Sequence, residues 1–346
     1  MGDGFYGLNG DPFAPIAARD RYFASRTATG VRAQIKGALA AAQGFIVVTG
    51  EQGVGKSQLA AHLAATIDRA QMVVAQITVG PHDGDALVRL VAEGFGLIAP
   101  GAVDTFDQAA ALGAIEAFVR DHARNGQRCV LIIDDAQQMS VAALGELCLM
   151  AQFRPDAPPL MQAVLLGQPA LIAVLDTPAF APVRDRISMT VALAPFDPDE
   201  VGAYIDHRLT HAGWQGHPAL ADGVVAALAM ASGGVPHRIN RLASRALRRG
   251  AALAARVIET ALVDDVIADV ADLDRELARR DAVIATLHQR LAELGDRGVS
   301  ADHRARITSL EARSADQDEA MRHMLTMLIE WIEAENSTAK SSDKSQ

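Results

Sequence analysis

The apolar positions of residues 45–193 follow two alternating patterns. Aliphatic runs of strand length are separated by segments with the apolar period of an amphipathic helix. Continuous aliphatic strands separated by helices are typical of βαβ units. They predict a parallel sheet with helices on both faces, an α/β domain over residues 1–195. The predicted strands are 45–49, 72–79, 129–134, 161–166 and 188–193, and the predicted helices are 31–42, 57–69, 85–96, 107–125 and 140–152.

The pattern changes after Pro195, beyond which no strand-like run occurs. The following segments keep a helical apolar period and are interrupted at 216–218 and 233–236 by glycine and proline, which end helices. This predicts a small helical domain over residues 196–270. Its predicted helices are 199–212, 218–232, 237–253 and 258–270.

A heptad pattern begins in the last of these helices. This pattern is typical of a coiled-coil seam, although one amphipathic helix packed on the helical domain would show it too. We expect the second arrangement for residues 263–270 and a coiled coil from residue 271 onward. The two heptad positions are occupied by Val263, Val270, Leu277, Ile284 and Leu291, and by Val266, Leu273, Arg280, Leu287 and Leu294.

A second apolar seam lies at 307–331, with Ser314 and Gln317 in its middle. The two helices could fold back on each other as a hairpin or join partner chains, and both arrangements stay open. Residues 271–335 are therefore predicted to form a helical, coiled-coil region. The polar residues 336–346 are predicted to be a disordered tail.

Composition narrows the class of protein. Half of the 346 residues are hydrophobic and the net charge is −10, which fits a globular protein and argues against nucleic-acid binding over the whole surface. Residues 264–346 hold 18 acidic and 11 basic side chains and residues 1–263 hold 24 and 21, so this argument concerns the tail more than the body. Cys129 and Cys148 have no metal-site spacing, and no apolar run approaches the ~20 residues of a membrane span. We expect a cytoplasmic protein without a membrane span.

The strand at 45–49 runs directly into a loop that matches the whole G-x-x-x-x-G-K-[ST] pattern and precedes a helix. Its glycines allow consecutive backbone N–H groups to point at a β-phosphate, and the helix adds its positive N-terminal end. Lys56 is expected to bridge β- and γ-phosphate oxygens, and the Ser57 hydroxyl to coordinate Mg²⁺. The predicted nucleotide-binding residues are Gly50, Glu51, Gln52, Gly53, Val54, Gly55, Lys56, Ser57 and Gln58.

Polar residues follow two other predicted strands. Asp134 emerges from the carboxyl end of a buried parallel strand, where ligands bind in α/β sheets, and is the second predicted Mg²⁺ ligand. Asp135 stands where many ATPases carry a glutamate that polarises the attacking water, although such a residue can also cap the next helix. Gln168 is either a turn residue or a sensor of the γ-phosphate, if its strand lies beside the phosphate loop.

These stretches resemble the ExeA/GspA-type AAA+ ATPases, relatives of the TniB and MuB transposition ATPases. The resemblance follows the family's order, with stretches similar to "FGL…PF", the phosphate loop, "LLIIDEAQ", "LVGQP", "LRQRI" and "GGxPRxIN". It covers roughly residues 1–270. The corresponding stretches are residues 5–13, 50–57, 131–137, 165–169, 183–187 and 233–242.

The resemblance implies a five-stranded AAA+ core, a helical lid, ATP bound between them and assembly across subunits. It makes Gln168 the γ-phosphate sensor. It also makes Arg184 or Arg186 the arginine finger that reaches a neighbour's nucleotide. A surface arginine in a turn is the alternative interpretation of both positions.

Three features depart from the family pattern. Asp135 replaces the usual glutamate, which predicts slow hydrolysis or a differently aligned water. His237 stands where the family has the second sensor arginine of the lid, and the candidate replacement Arg238 faces about 100° away on a helix. A heptad-rich tail takes the place of the membrane span and periplasmic part of the secretion-type members.

We expect an ATP-dependent switch or motor, in which ATP and Mg²⁺ control assembly into homo-oligomers or docking of a protein partner through the coiled coil. Arginines on the predicted helix 237–253 could instead contact DNA phosphates, as in a transposition-type ATPase, or they could form salt bridges to the acidic residues of 264–346 or contact the ATP site. With Asp135 and His237 at catalytic positions, a nucleotide-binding scaffold with little turnover is a further alternative. The arginines are Arg238, Arg241, Arg245, Arg248 and Arg249.

Overall fold

The computed structural model describes most of the chain up to residue 296. It divides the chain into two units, Met1–Val270 and Ala271–Gln346. The predicted second seam at 307–331 and the tail at 336–346 lie outside the described residues. The described residues are 5–14, 22–42, 44–80, 86–99, 101, 106–151 and 160–296.

Five parallel strands form the predicted sheet. They are β1 (Phe45–Thr49), β2 (Met72–Thr78), β3 (Arg128–Asp134), β4 (Met161–Gly167) and β5 (Ile187–Ala192). Their order across the sheet is β2-β3-β4-β1-β5. Each strand agrees with its predicted bounds to within one residue; β1, β3 and β4 are buried on both faces, so their apolar runs leave little ambiguity. The predicted α/β fold class is confirmed.

Helices cover both faces of this sheet. They are α1 (Arg26–Ala40), α2 (Lys56–Thr66), α3 (Leu87–Gly94), α4 (Gln108–Arg124), α5 (Val141–Met150), α6 (Ala170–Leu175) and α7 (Ala181–Arg184). Successive residues of a strand face opposite sides. In β1, Phe45 and Val47 pack into the core beneath α3, α4 and α5, whereas Ile46 and Val48 pack into the core beneath α1 and α2.

The helical domain predicted after the sheet is present. Its elements are α8 (Pro198–His211), α9 (Val224–Ser232), α10 (Pro236–Ala252), the first part of α11 (Thr260–Asp296), and the short strands β6 (Ala219–Leu220) and β7 (Val257–Ile258). The expectation of no strand here is wrong, since β6 and β7 pair in parallel. Strands of two residues are too short to show an alternating apolar pattern. The helix predicted from residue 218 begins later, because Gly223, with φ 89°, precedes the first turn of α9. Leu8 and Phe13 pack into the core of this domain, which we call the lid.

Helix α11 carries one apolar stripe through two environments. Val263, Val266 and Val270 are at most 5% exposed and pack into the core of the lid. The interpretation of residues 263–270 as an amphipathic helix on that domain is thus confirmed. From Leu273 to Leu287 the large apolar side chains of the stripe are 49–58% exposed. The coiled coil expected there stays a prediction.

The strand order brings the predicted site residues to one edge. β1 lies between β4 and β5, with Thr49 beside Gly167 and Ala192. Since parallel strands end at the same edge of a sheet, the loop after β1 lies near Asp134 and Gln168. The strand before Gln168 is adjacent to the phosphate loop, which is the condition for that residue to sense a γ-phosphate.

Candidate nucleotide-binding site

The phosphate loop, residues 50–57, is hydrogen-bonded to the sheet at its start, and no side chain caps the helix α2 at its end. The Gly50 N–H donates to the Gly167 carbonyl oxygen of β4 (3.2 Å). Gly55, with φ 107°, is the N-cap of α2 and offers no side chain, whereas Ser25 and Ser140 cap α1 and α5. The first N–H groups of α2 can therefore bind a ligand, and with the helix dipole they form an anion site.

The Lys56 side chain is buried inside this loop. Its ammonium group donates to the carbonyl oxygens of Gly50 (2.9 Å) and Glu51 (3.0 Å). Burial lowers the pKa of Lys56, and the nearby carboxylates of Asp134 and Asp135 oppose that shift. A buried ammonium held by carbonyls interacts strongly with an arriving anion, because little water screens the two charges.

Ser57 and Asp134, the two predicted Mg²⁺ ligands, are in contact. Asp134 ends β3 and is 3% exposed. Burial raises the pKa of its carboxyl group, while hydrogen bonds from the Ser57 hydroxyl and from the Asp135 N–H (3.0 Å) lower it. A hydroxyl and a carboxylate beside a phosphate loop are the oxygen ligands that Mg²⁺ takes in such sites. The residues present therefore fit this ion.

Gln137, which the sequence analysis did not select, links the other polar residues of this edge. Its Nε2 donates to Asp135 Oδ1 (3.0 Å), and its Oε1 accepts from the Gln168 N–H (3.1 Å). Asp135 has φ 54°, a conformation uncommon outside glycine. The glutamine holds the Asp135 carboxylate and the loop after β4 together. The sequence carries part of the signal, since Gln137 lies in the "LLIIDEAQ"-like stretch.

The lid touches the phosphate loop at the start of α10. The His237 N–H donates to the Gly53 carbonyl oxygen (3.1 Å). A Cβ on Gly53, whose φ is 81°, would lie 2.6 Å from the His237 Cβ, so glycine is needed for both conformation and contact. His237 therefore meets the loop through its backbone, and Arg238, the next residue of α10, is exposed.

The linker into the lid has a second close approach. The Phe196 N–H donates to the Gly234 carbonyl oxygen (2.9 Å). A Cβ on Gly234 would lie 2.1 Å from the Phe196 carbonyl oxygen, and the φ of Gly234 is 72°. Only glycine allows this approach. The two contacts lie three residues apart, at Gly234 and His237, and together they position the lid on the core.

The candidate arginine fingers are Arg184 and Arg186. They lie near the amino ends of the strands, whereas the phosphate loop lies at the carboxyl ends. The Phe45 N–H, at the amino end of β1, donates to the Arg186 carbonyl oxygen (2.8 Å). The length of β1, about 13 Å, separates this point from the loop. Arg184 is exposed and donates to the Asp176 carbonyl oxygen (3.1 Å), whereas Arg186 is half-buried. This placement suits contact with a neighbouring chain.

A cleft lies beside the phosphate loop, between the core and the lid, where the resemblance places ATP, but its aromatic lining was not anticipated from the sequence. About 530 Å³ of space, open to solvent on one side, lies between the segment before α1, the start of α2 and the lid. Phe23 packs edge-on against Phe196 and Tyr204, with 5.4 Å between ring centroids in each pair. Flat aromatic walls next to a phosphate loop suit a nucleobase. The lining residues include Tyr22, Phe23, Gln58, Phe196, Tyr204 and Arg208.

Two arginines of the α10 stripe are paired with acidic residues. Arg249 donates to Asp269 (2.7 Å) and lies 3.3 Å from Asp265, both on α11. Arg248 lies 3.9 Å from Asp11. The Arg249 pairs are the kind that the interpretation as salt bridges to the acidic residues of 264–346 expects, whereas the contact of Arg248 with Asp11 is not.

Among the described residues, no helix is both long enough and apolar enough to cross a membrane.

Comparisons with known proteins agree with this geometry. A family described as "AAA domain" matches residues 40–175, from just before β1 to the end of α6. The General secretion pathway protein A of Aeromonas hydrophila is 29% identical over 248 residues, which are 70% of this chain and 44% of the relative. The chain thus spans less than half the length of that relative. These matches confirm the resemblance inferred from the motifs.

Solved structures share the fold. The ORC2 protein of Aeropyrum pernix, in ADPNP-ADP complexes, is 14% identical with a TM-score of 0.55, over 76% of this chain and 72% of that chain. The ORC1 protein of the same organism, in complex with DNA, is 13% identical with a TM-score of 0.56, over 75% and 68%. At these identities the likeness concerns the fold alone.

Proposed function

Because the chain carries an AAA+ domain of the ExeA/GspA type, we propose that it binds ATP with Mg²⁺ at the phosphate loop and hydrolyses the ATP. The nucleotide acts as a switch for the lid, and α11 couples that switch to self-association or to a protein partner. We assign this activity to the cytoplasm, since Cys129 and Cys148 are free thiols, which suit a reducing compartment.

The contacts of Lys56, Ser57 and Asp134 carry this proposal. The Lys56 ammonium group exchanges the carbonyl oxygens of Gly50 and Glu51 for β- and γ-phosphate oxygens. Those oxygens are charged and so bind a buried cation more strongly. Ser57 and Asp134 would hold Mg²⁺, which neutralises phosphate charge when bound.

The residues linked by Gln137 have separate roles in hydrolysis. Asp135 orients and polarises the attacking water, and Gln137 keeps its carboxylate in place. Gln168, whose N–H is held by the same amide, contacts the γ-phosphate. Because aspartate is one methylene shorter than glutamate, we expect slower turnover than in ATPases that carry glutamate at this position.

We assign the arginine finger to Arg184. Its side chain is exposed and tethered by one hydrogen bond to a backbone carbonyl, so it can turn towards a neighbouring chain. Such a finger contributes about 10³–10⁵-fold in rate in related NTPases. Turnover by wild type should therefore rise with protein concentration, and Arg184→Ala should remove that rise while Arg186→Ala retains it. Equal losses in both variants would contradict the assignment.

The proposed function is tested by nucleotide binding to Lys56→Ala, with Lys36→Ala as the matched control. Lys36 donates to the Thr66 carbonyl oxygen (3.2 Å) at the far end of α2. We expect Lys56→Ala to lose both binding of a fluorescent ATP analogue and turnover. Lys36→Ala should keep both to within about twofold. Unchanged ATP binding by Lys56→Ala would contradict the proposed function.

The arginines of α10 favour a second candidate, a DNA-binding ATPase of the transposition type. Arg238 is exposed, and Arg248 and Arg249 have ion pairs at accessible positions that phosphates could compete for. The test is retardation of duplex DNA with ATP present, which should weaken steeply between about 50 and 200 mM salt. No salt-sensitive shift would remove this candidate.

Asp135 and His237 favour a third candidate, a nucleotide-binding scaffold with little turnover. Comparing the rates of ATP hydrolysis by wild type and Asp135→Glu distinguishes this scaffold from the ATP-hydrolysing switch. A large gain in the variant supports the scaffold, because the longer carboxylate would supply what the wild type lacks. Brisk turnover by the wild type rejects it.

A further inference from the structure

Beyond Val270, α11 exposes an apolar stripe. Its large side chains are 49–58% exposed, whereas the same stripe is almost fully buried where α11 lies on the lid. Four of these side chains occupy the two apolar positions of the heptad (a and d), and the fifth occupies the position directly before a (position g). A helix surface of this kind is the contact face of a coiled coil. The residues are Leu273, Leu277, Val283, Ile284 and Leu287.

We propose that a second copy of this chain covers the stripe, and that the two α11 helices pair antiparallel about a two-fold axis beside Ala282. This inference rests on the proposed self-association through α11 and is independent of ATP hydrolysis. The charged residues beside the stripe determine both the occupant and the direction.

A parallel pair would bring like charges together. In a parallel pair, the residue that directly precedes the first apolar position of each heptad (position g) faces a residue of the other chain that lies five positions further along the sequence (position e). Glu276 would face Asp281 of the second copy. This contact occurs twice by symmetry, so two repulsive contacts would flank the seam.

An antiparallel pair replaces these contacts. With the axis beside Ala282, Glu276 faces Arg290 of the second copy, so that opposite charges meet twice. Val283 meets its own counterpart across the axis, which explains an apolar residue at a position that is usually charged. The layers of the seam around the axis are Leu277 with Leu287, and Arg280 with Ile284, each formed twice.

The single polar residue of the seam fits this register. Arg280 is 71% exposed and its Nε lies 3.3 Å from Glu276 of its own helix, so its charged group reaches the edge of the stripe. In the antiparallel pair it lies next to Asp281 of the second copy. That contact offsets the approach of the two Asp281 carboxylates near the axis.

The seam that stays clear of the lid runs from Leu273 to position 291, about 27 Å of helix. The two copies of Val270 then lie at opposite ends of the pair. This contact is therefore different from the one through which Arg184 would reach a neighbour's nucleotide.

Single cysteines test the direction in the full chain carrying Cys148→Ser. Val283→Cys should form an interchain disulfide, because the two copies meet at the axis. The matched variant Leu273→Cys should not, because its copies lie about 27 Å apart along the pair. A parallel pair gives the reverse result, which would overturn the proposal. A wild-type chain that sediments as a monomer at micromolar concentration would also overturn it.

Charge reversal tests the register. Glu276→Arg and Arg290→Glu should each weaken self-association about tenfold, because two attractive contacts become repulsive. The double variant should restore it to within about twofold, and Arg275→Glu, on the helix face opposite the seam, should leave it unchanged. Tighter association of Glu276→Arg alone would overturn the proposal. Loss of ATP binding by Lys56→Ala is measured separately, so failure of the proposed function is distinguishable.

Discussion

The phosphate loop and the exposed stripe of α11 present opposite kinds of recognition surface. Around the loop, polar groups have specific partners: the Lys56 ammonium group has two carbonyls, the Asp134 carboxylate a hydroxyl, and the Gly53 carbonyl an N–H of the lid. Along α11 the side chains are apolar and exposed, and specificity comes from the order of neighbouring charges. Without nucleotide, substitutions at the loop should leave the mass of the assembly unchanged and impair only nucleotide binding or hydrolysis. Substitutions in the stripe should change mass at constant nucleotide binding.

The largest effect is expected at Asp134. In Asp134→Asn the charge of a Mg²⁺ ligand is lost, and turnover should fall by about 10²–10³-fold while the sedimenting mass without nucleotide is unchanged. The same variant should melt at a higher temperature without nucleotide at neutral pH, because the ionised carboxyl group is costly to bury. Steady-state hydrolysis and thermal unfolding measure the two effects. Normal turnover would contradict the assignment of Asp134 as a ligand.

The pH dependence of that second effect has a definite sign. Burial raises the pKa of Asp134 in the folded protein above its unfolded value. Its contribution to stability is therefore fully present below the unfolded pKa, about 3.9, and is lost as pH rises through the folded pKa. The melting temperatures of wild type and Asp134→Asn should differ more at pH 7 than near pH 4, where the carboxyl group is substantially protonated in both states. A constant difference would show that the carboxyl group does not titrate differently in the two states.

The next largest effect is expected at Gly53. In Gly53→Ala the added Cβ meets His237 at 2.6 Å, so the lid moves away and ATP affinity should fall about tenfold or more. Gly96→Ala is the matched control, because Gly96 has φ 73° and no atom within 4 Å of an added Cβ. It should lose about 1–2 kcal/mol of unfolding free energy through strain and keep its affinity. Titration with a fluorescent ATP analogue decides, and equal affinities in the two variants would refute the contact's role.

A smaller effect is expected at Gln137. Gln137→Ala frees the Asp135 carboxylate and should lower kcat about tenfold with KM little changed, because positioning and not binding is lost. Gln138→Ala, at the exposed neighbouring position, is the control and should behave as wild type. Steady-state kinetics of both variants measure the split. An increase in KM at constant kcat would assign Gln137 to binding instead.

The smallest effect contrasts the two parts of the α11 stripe. Val263→Ala leaves a cavity in the core of the lid and should lower the unfolding free energy by about 1–3 kcal/mol. Leu277→Ala removes a 54% exposed side chain and should change it by less than about 0.5 kcal/mol in dilute protein, while weakening self-association. Chemical unfolding at low concentration and sedimentation measure the pair. Equal losses of stability would show that the stripe is covered within one chain.

The strands and the phosphate loop could be predicted because contiguous residues specify them. Phe45–Thr49 is aliphatic or aromatic up to Thr49 and is followed at once by the loop pattern, so both its bounds and its chemistry are local. The pair β6 and β7 could not be predicted, because two residues carry no period. The segment predicted as a helix from 218 begins only at Val224, after the positive φ of Gly223.

The aromatic lining of the cleft and the Gln137 contacts could not be predicted because distant segments form them. Phe23 precedes α1, whereas its ring partners Phe196 and Tyr204 belong to the linker and α8. The only local signal in the sequence is the adjacent pair Tyr22-Phe23, in a chain with 4% aromatic residues, and this pair alone does not indicate its ring partners. The link from Gln137 to Gln168 depends on β4 lying beside β3, which no local pattern encodes.

Helix α10 joins two contacts that belong to different ends of the lid. His237 at its start is bonded to Gly53, and Arg249 near its end is paired with Asp265 and Asp269 of α11. Twelve residues separate them, about 18 Å of helix. Because α10 and the first part of α11 pack into one core, a movement of the lid carries both helices and their ion pairs together. A change at one peptide group of the phosphate loop, that of Gly53, would therefore move the start of α11 as well as α10.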